Sequence, residues 1–150
     1  MRTLATIGYQ AATVRSFLDA LKEGGVGLLV DVRAVASSRR PGFSKSRLAA
    51  NLGEAGFGYL HLRGLGTPAD GRAAARAGRY ADLRRIYLEH LDTPAARDEL
   101  AALAELVRSG PRICLLCFEA DPVHCHRSMV AAALGDLVPV RVVHLMPTDQ

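Results

Sequence analysis

Apolar residues along the chain alternate between short, mostly apolar runs and stretches with helical spacing. The runs cover residues 4–7, 26–32 and 113–116, and such runs are typical of strands that are covered on both faces of a sheet. Between residues 13 and 24 the apolar residues have helical spacing, which predicts an amphipathic helix that Thr13 caps. Strands separated by helices in this way favour right-handed βαβ units and a parallel sheet.

The same patterns predict further elements downstream. Thr93 and Pro94 are typical of a helix start, and Gly110 with Pro111 ends the apolar face that follows. Residues 63–79, rich in glycine and arginine, predict a long flexible loop that can include an alanine-rich turn of helix. The remaining predictions are helices near 46–54, 80–91 and 128–137 and strands at 59–62 and 138–144.

Length and composition place these elements in one domain. The chain has 150 residues, of which 49% are hydrophobic and 23% charged, which is close to the average of globular proteins and excludes disorder, a coiled coil or collagen. With no apolar run of about 18 residues and no signal segment, we expect a soluble cytoplasmic protein without a membrane partner. The predicted fold is a single α/β domain over 1–150, a mostly parallel sheet of about five strands flanked by helices. Tyr80 and Tyr87 lie at helical spacing and are expected in its core.

Positive charge is concentrated in the first third of the chain. The net charge is +4, and residues 33–47 contain five cations and no acid. Such a short cluster indicates an anionic ligand rather than a broad nucleic-acid surface, and a solvated basic loop is the alternative interpretation.

Polar residues follow the predicted strands at their carboxyl ends, where ligands bind in parallel α/β sheets. Tyr9 follows the first strand, Asp31 and Arg33 end the second, and Cys117 and Glu119 end the fourth. We expect these residues to share one rim. There Asp31 orients Arg33 through a charge-assisted hydrogen bond, and Tyr9 forms a wall or packs into the core.

The three cysteines, Cys114, Cys117 and Cys125, lie close together. An odd, clustered set argues against a disulfide framework and favours chemistry or metal binding. An offset of three puts Cys114 and Cys117 on opposite faces of a strand, so Cys114 is assigned to the core. Cys125 stands at a helix start beside His126 and Arg127, a setting that favours a reactive thiolate.

The order of these motifs resembles the DUF488 family. The matching segments are 6–9 (TIGY), 31–33 (DVR), 38–39 (SR), 43–44 (FS), 65–66 (LG), 117–119 (CFE), 125–127 (CHR) and 143–144 (VH). Ala36 stands where members often have a proline. The resemblance covers nearly the whole chain and implies the family's fold and site, but no reaction, because the family has no established activity.

A second likeness is to rhodanese-like domains. Residues 28–33 are similar to the strand of those domains that ends in an aspartate and an arginine. Cys117, with Arg127 and Ser128 at the start of an alanine-rich helix, resembles their catalytic loop and helix. Their cysteine and arginine lie closer together in sequence than Cys117 and Arg127 do, so persulfide chemistry is not carried over.

Three functions fit this constellation. The first is an enzyme that acts on a phosphate- or carboxylate-bearing substrate, such as a nucleotide or a nucleic-acid end. Cys125 or Cys117 would be its nucleophile, and His126 or Glu119 would transfer protons. The residues expected to bind the substrate are Tyr9, Asp31, Arg33, Ser38, Arg39 and Arg127.

The second function is a metal-dependent enzyme, with Cys117, Cys125 and either His124 or His126 as ligands and Glu119 as the base. The third is a non-catalytic module that binds nucleic acid through the basic loop, although 5% aromatic residues and no tryptophan argue against base stacking.

Dinucleotide and phosphate-loop motifs are missing, so NAD and ATP are not indicated and no cofactor is assigned. Nothing in the sequence requires an oligomer.

Overall fold

A computed structural model describes residues 1–148, which form one sheet of five parallel strands with six α-helices around it. The strands are β1 (Arg2–Gly8), β2 (Leu28–Asp31), β3 (Gly58–His61), β4 (Ile113–Cys117) and β5 (Val140–Leu145). The helices are α1 (Val14–Glu23), α2 (Lys45–Glu54), α3 (Ala69–Arg76), α4 (Tyr80–Leu91), α5 (Pro94–Ser109) and α6 (His126–Gly135). The predicted α/β class and mostly parallel sheet are confirmed.

Helix ends follow the capping residues of the sequence. Thr13 caps α1 in a capping box, because its side chain accepts from the Ser16 amide while the Ser16 hydroxyl accepts from the Thr13 amide. Thr93 caps α5, and Pro94 occupies its first turn, where a missing N–H costs nothing. Both predicted helix starts are confirmed.

Two hydrophobic cores cover the two faces of the sheet. Leu115 of β4 packs with α5 and α6 in one core, whereas Leu116 packs with Phe17 of α1 and Leu48 of α2 in the other. Successive residues of a strand point to opposite faces, so β4 supplies both cores. Each fully buried leucine or phenylalanine contributes roughly 1.5–3 kcal/mol to folding.

The prediction of a long flexible loop over residues 63–79 is wrong. Arg63–Leu65 forms a turn of 3-10 helix, and α3 follows it. Alanine has the highest helix propensity, and Gly71 lets α3 pack closely, since a Cβ there would crowd Thr67 and Ile86. Gly78, with φ of +72°, ends the segment in a conformation that favours glycine.

The strand order, β3-β2-β4-β1-β5, places β4 between β2 and β1. Asp31 pairs with Leu116, and Gly8 pairs with Cys117, so the carboxyl ends of these three strands lie side by side. The segments that follow them therefore meet at one end of the sheet. Within residues 1–148, no helix has the length and apolar character that crossing a membrane requires.

Candidate functional site

A cavity of about 910 Å³ lies beyond the carboxyl ends of β1, β2 and β4. The predicted site residues that line it are Tyr9, Arg33, Ser38, Arg39, Cys117, Glu119 and His126. The remaining three, Asp31, Cys125 and Arg127, are buried behind this lining and contact it. The fold thus brings all the predicted residues to one end of the sheet.

Asp31 and Arg33 form a buried ion pair at the end of β2. Nε and Nη2 of Arg33 donate to Oδ1 and Oδ2 of Asp31 at 2.9 and 2.8 Å, which is a bidentate geometry. Burial works to lower the pKa of Arg33, but the hydrogen bond and charge of Asp31 outweigh it and raise that pKa. Tyr59 also donates to Asp31 Oδ2, at 2.6 Å. The prediction that Asp31 orients Arg33 is confirmed.

The Arg33 guanidinium also anchors one wall of the cavity. Its Nη1 donates to Tyr9 Oη at 3.1 Å and to the carbonyl oxygen of Phe43 at 2.7 Å. The Tyr9 ring stacks on the Phe43 ring with centroids 4.7 Å apart. Tyr9 is therefore both a packed side chain and a wall of the cavity, and most donors of Arg33 are occupied by protein groups.

The basic loop between β2 and α2 is shaped by Ser38 and Ser44. The Ser38 amide donates to Ser44 Oγ at 2.9 Å, and Ser38 Oγ accepts from the Arg40 amide at 3.1 Å. Nε of Arg40 donates to the carbonyl oxygen of Ala12 at 3.1 Å. Arg39, in contrast, is exposed, and its guanidinium bonds to no other side chain or carbonyl in the described part of the chain. This leaves Arg39 available to a ligand.

Two further cations reach the cavity from α3, and the sequence interpretation missed them. Arg72 and Arg76 are four residues apart, so they lie on the same face of the helix. Nη1 of Arg72 donates to the Thr67 carbonyl oxygen at 2.8 Å, whereas Arg76 is exposed. The sequence of residues 72–76 (RAAAR) indicates two arginines on one helix face. The prediction of a flexible loop for this segment assigns no direction to those side chains.

Aromatic side chains flank the opening of the cavity. Tyr80, which was expected in the core, is 42% exposed and stacks on the His124 ring with centroids 4.0 Å apart. Its position at the first residue of α4 explains the error, because helical spacing does not distinguish the end of a helix from its buried middle. Phe118 is also exposed and lines the same cavity. Tyr87 is buried, as predicted.

Cys117 and Cys125 are joined by a disulfide between the end of β4 and the residue before α6. The sequence interpretation did not predict this bond, because a clustered and odd set of cysteines favoured chemistry or metal binding over stapling. Cys117 lines the cavity. Cys114 is fully buried in the core that contains α1, as predicted, and burial raises the pKa of its thiol.

Arg127 is fully buried beneath the loop that links β4 to α6. Its Nη1 donates to Cys117 Sγ at 3.2 Å and to the carbonyl oxygen of Glu119, while Nη2 donates to that of Ala120 at 3.2 Å. Nε donates to Thr6 Oγ1 at 3.2 Å. These donors bind the protein itself, which argues against Arg127 as a clamp on a substrate anion. Arg127 positions the Cys117 sulfur and the loop.

His126 is buried at the start of α6, behind Cys117. Its Nε2 lies 2.6 Å from the carbonyl oxygen of Val32, so Nε2 carries the proton and donates it. Nδ1 then has a free lone pair, and it lies 3.8 Å from Cys125 Sγ. Burial lowers the pKa of His126 to about 4, so the ring is neutral near pH 7.

Glu119 brings a carboxyl group to the sulfur pair. Its Oε2 lies 3.5 Å from Cys117 Sγ. Burial raises the pKa of Glu119, against the backbone hydrogen bond and the Arg127 charge that lower it. Glu119 therefore places a carboxyl group of raised pKa within contact distance of Cys117 Sγ.

A group of three buried side chains has the composition of a metal site. Sγ of Cys117, Sγ of Cys125 and a ring nitrogen of His126 all lie within 4.8 Å of one another. The sequence left His124 and His126 as alternative ligands, and the geometry selects His126. His124 instead packs on Tyr80.

Comparison with known proteins gives one match. A family model described as "Domain of unknown function DUF488" matches residues 13–134. This range includes every predicted site residue except Tyr9. No curated protein and no solved structure matches the chain.

Proposed function

The chain belongs to the DUF488 family, whose function is unknown, and we propose that it is an enzyme acting on a phosphate- or carboxylate-bearing small molecule. The observation that carries the proposal is the shared cavity. The exposed Arg39 and Arg76 line the part of the cavity that faces solvent, its opening. The buried Cys117 and His126 and the half-buried Glu119 line its inner end. A substrate whose anionic group binds the arginines would place its reacting atoms near Cys117.

The arginines that would bind the anion are those whose guanidinium groups make no hydrogen bonds within the described part of the protein. Arg39 and Arg76 are exposed and line the cavity from two different elements, the basic loop and α3. Arg40 and Arg72 also line the cavity but share donors with backbone carbonyls. Arginine is suited to phosphate and carboxylate because its planar donors match their oxygens. Asp31 neutralises Arg33, so Arg33 supports the wall.

The groups that would carry out the reaction, Cys117 and Glu119, lie at the inner end of the cavity. Cys117 is the sulfur that lines the cavity, and Arg127 stabilises its negative charge by donating to Sγ. Glu119, 3.5 Å away, accepts or returns a proton there. Arg127 is a positioning residue, since it acts on the substrate only through Cys117 and the loop carbonyls. The family match does not extend to rhodanese-like domains, and no persulfide step is part of the proposal.

A small molecule fits this geometry better than a nucleic acid. The free cations converge on a concave site, whereas nucleic-acid binding requires a stripe of cations that follows the phosphate backbone. A nucleic-acid end could still enter the cavity, and its binding would depend steeply on salt. A non-catalytic module would bind an anion without turnover.

Steady-state kinetics of the reduced protein test the proposal. A panel of chromogenic phosphate monoesters and of chromogenic esters that carry a second, free carboxylate is assayed with the wild type, with the double variant Arg39→Ala/Arg76→Ala, and with the control Arg47→Ala/Arg85→Ala. The control residues are exposed and lie outside the cavity. Losing two charge-assisted hydrogen bonds raises KM by about tenfold or more. The control keeps the wild-type KM.

Three further outcomes test the role of Cys117, the anion site and the assignment of the protein as an enzyme. Cys117→Ser removes turnover but keeps binding of inorganic phosphate, measured by calorimetry, because the arginines are unchanged. Equal KM values in the wild type and the Arg39/Arg76 variant would overturn the anion site. Phosphate binding without turnover of any ester in the panel would favour the binding module over the enzyme.

A further inference from the structure

We infer that Cys117, Cys125 and His126, when the cysteines are reduced, bind a divalent zinc-type cation at the inner end of the cavity. The inference rests on the proposed function in one respect, since the open coordination position must face the substrate cavity. With the ion bound, Cys117 acts as a ligand and no longer as the reacting group. Thiolate and imidazole are the ligands that zinc prefers, and catalytic zinc sites use three protein ligands and leave a fourth position open.

The distance between Cys125 and His126 fits one tetrahedral ion. With a Zn–S bond of about 2.3 Å and a Zn–N bond of about 2.05 Å, tetrahedral geometry separates sulfur from nitrogen by about 3.6 Å. Cys125 Sγ and His126 Nδ1 are 3.8 Å apart. All three ligand atoms lie within 4.8 Å of one another. The histidine therefore needs almost no movement to share an ion with Cys125.

The orientation of His126 is that of a metal-binding histidine. Such residues donate their second ring N–H to a carbonyl or carboxylate, which fixes the tautomer and aims the other nitrogen at the metal. His126 Nε2 donates to the Val32 carbonyl oxygen at 2.6 Å, and Nδ1 is left facing Cys125. His124, two residues earlier, makes no such bond to any residue of 1–148, and its ring packs on Tyr80.

The sulfur pair must be reduced before it can bind an ion. The disulfide takes two electrons and two protons from a dithiol, which leaves as its own disulfide, and the cation then displaces the two thiol protons to solvent. The Cα atoms of Cys117 and Cys125 are 7.3 Å apart, which is wider than the 4.4–6.8 Å usual in disulfides. An ion bound between the two sulfur atoms would hold them farther apart than a disulfide bond does, which is compatible with this distance between the Cα atoms.

The cavity supplies the open fourth position. Cys117 and His126 both line the 910 Å³ cavity, so an ion between them faces it. A water molecule or a substrate oxygen would complete the tetrahedron from that side. Glu119, next to Cys117 Sγ, stands on the same side.

Co²⁺ and Zn²⁺ titrations of the reduced full-length chain, prepared without chelator and without oxygen, test the inference. Bound metal is measured by elemental mass spectrometry, and tetrahedral Co²⁺ is recognised by its visible bands and its thiolate charge-transfer band. The expected result is about one ion per chain, with at least a tenfold loss of affinity in Cys125→Ser and in His126→Gln. The controls Cys114→Ala and His124→Gln keep wild-type uptake.

A measurement on the wild type alone covers the case in which a variant fails to fold. Bound Zn²⁺ should protect Cys117 and Cys125 from alkylation, and a chelator should remove the protection. Absence of uptake by the reduced wild type, or equal uptake by Cys125→Ser, would overturn the inference. Phosphate binding is measured on the same samples, so that metal uptake without phosphate binding supports the ion site and overturns the anion site.

Discussion

Nη1 of Arg127 lies 3.2 Å from Sγ of Cys117, although the two residues are ten positions apart and belong to different elements. The same nitrogen donates to the Glu119 carbonyl oxygen, so one buried guanidinium fixes both the sulfur and the loop that follows it. The cation closest to the cysteines is therefore part of the scaffold. Recognition of an anion is left to the exposed arginines at the opening.

Removing the Arg127 guanidinium should destabilise the protein strongly. Arg127→Met keeps the length of the side chain but leaves the carbonyl oxygens of Glu119 and Ala120 without a donor. Each buried unsatisfied group costs about 1–3 kcal/mol, so the loss of two lowers the free energy of unfolding by roughly 2–6 kcal/mol. Urea denaturation measures the change. The control Arg85→Met, on an exposed helix face, should change it by less than about 0.5 kcal/mol.

The ion pair at the end of β2 should be equally sensitive to loss of one partner. Asp31→Asn leaves Arg33 buried without a counter-charge and lowers the free energy of unfolding by about 3–5 kcal/mol. Glu89→Gln breaks the exposed pair with Arg85 and should cost at most about 1 kcal/mol. Similar losses for the two variants in denaturant titrations would show that the buried pair is not a structural anchor.

A close backbone approach at Gly8 should make that position intolerant of any side chain. A Cβ there would overlap the Glu119 carbonyl oxygen and press on Arg127 Nη1. Gly8→Ala should therefore displace the loop after β4 and lower the melting temperature, with a change in the near-UV circular dichroism. Gly53→Ala is the matched control, because a Cβ at Gly53 meets nothing within 4 Å and stabilises α2 by about 0.5–1 kcal/mol.

The cysteines should differ sharply in reactivity after reduction. Cys114 is fully buried, and burial raises the pKa of its thiol, so both access and ionisation oppose its alkylation. Cys117 is also buried, at 1% exposed, but it lines the cavity and has Arg127 as a donor. Peptide mass spectrometry after a short treatment of the metal-free protein with iodoacetamide should find the label on Cys117 well before Cys114. Labelling of Cys114 at the same rate would contradict the assigned burial.

Much of the fold is predictable because local patterns determine it. Strand runs, capping residues and helical spacing located β1, β2, β4, α1 and α5 with small errors at their ends. The strand order, in contrast, was not predicted. It depends on which elements pack together, and the pattern of a single segment does not determine that packing. The prediction of a single domain over 1–150 stays a prediction.

The site was predictable in position but not in the role of each cation. The strand-end rule brought Cys117, Glu119 and Arg33 to one place, because parallel strands end at the same edge. The rule could not show that the Arg127 guanidinium donates to the carbonyl oxygens of Glu119 and Ala120. Every residue has a backbone carbonyl, so the sequence does not indicate which carbonyls accept these bonds. Arg76 was missed for the opposite reason, because its direction depends on α3 being a helix.

Protection of Cys117 by phosphate tests the central claim, that the arginines and the cysteine serve one cavity. The rate of Cys117 alkylation is measured in reduced, metal-free protein with increasing inorganic phosphate. At ten times the dissociation constant of phosphate, occupancy should slow alkylation about tenfold, and Arg39→Ala/Arg76→Ala should lose that protection. Alkylation of Cys117 at an unchanged rate while phosphate is bound would contradict the account.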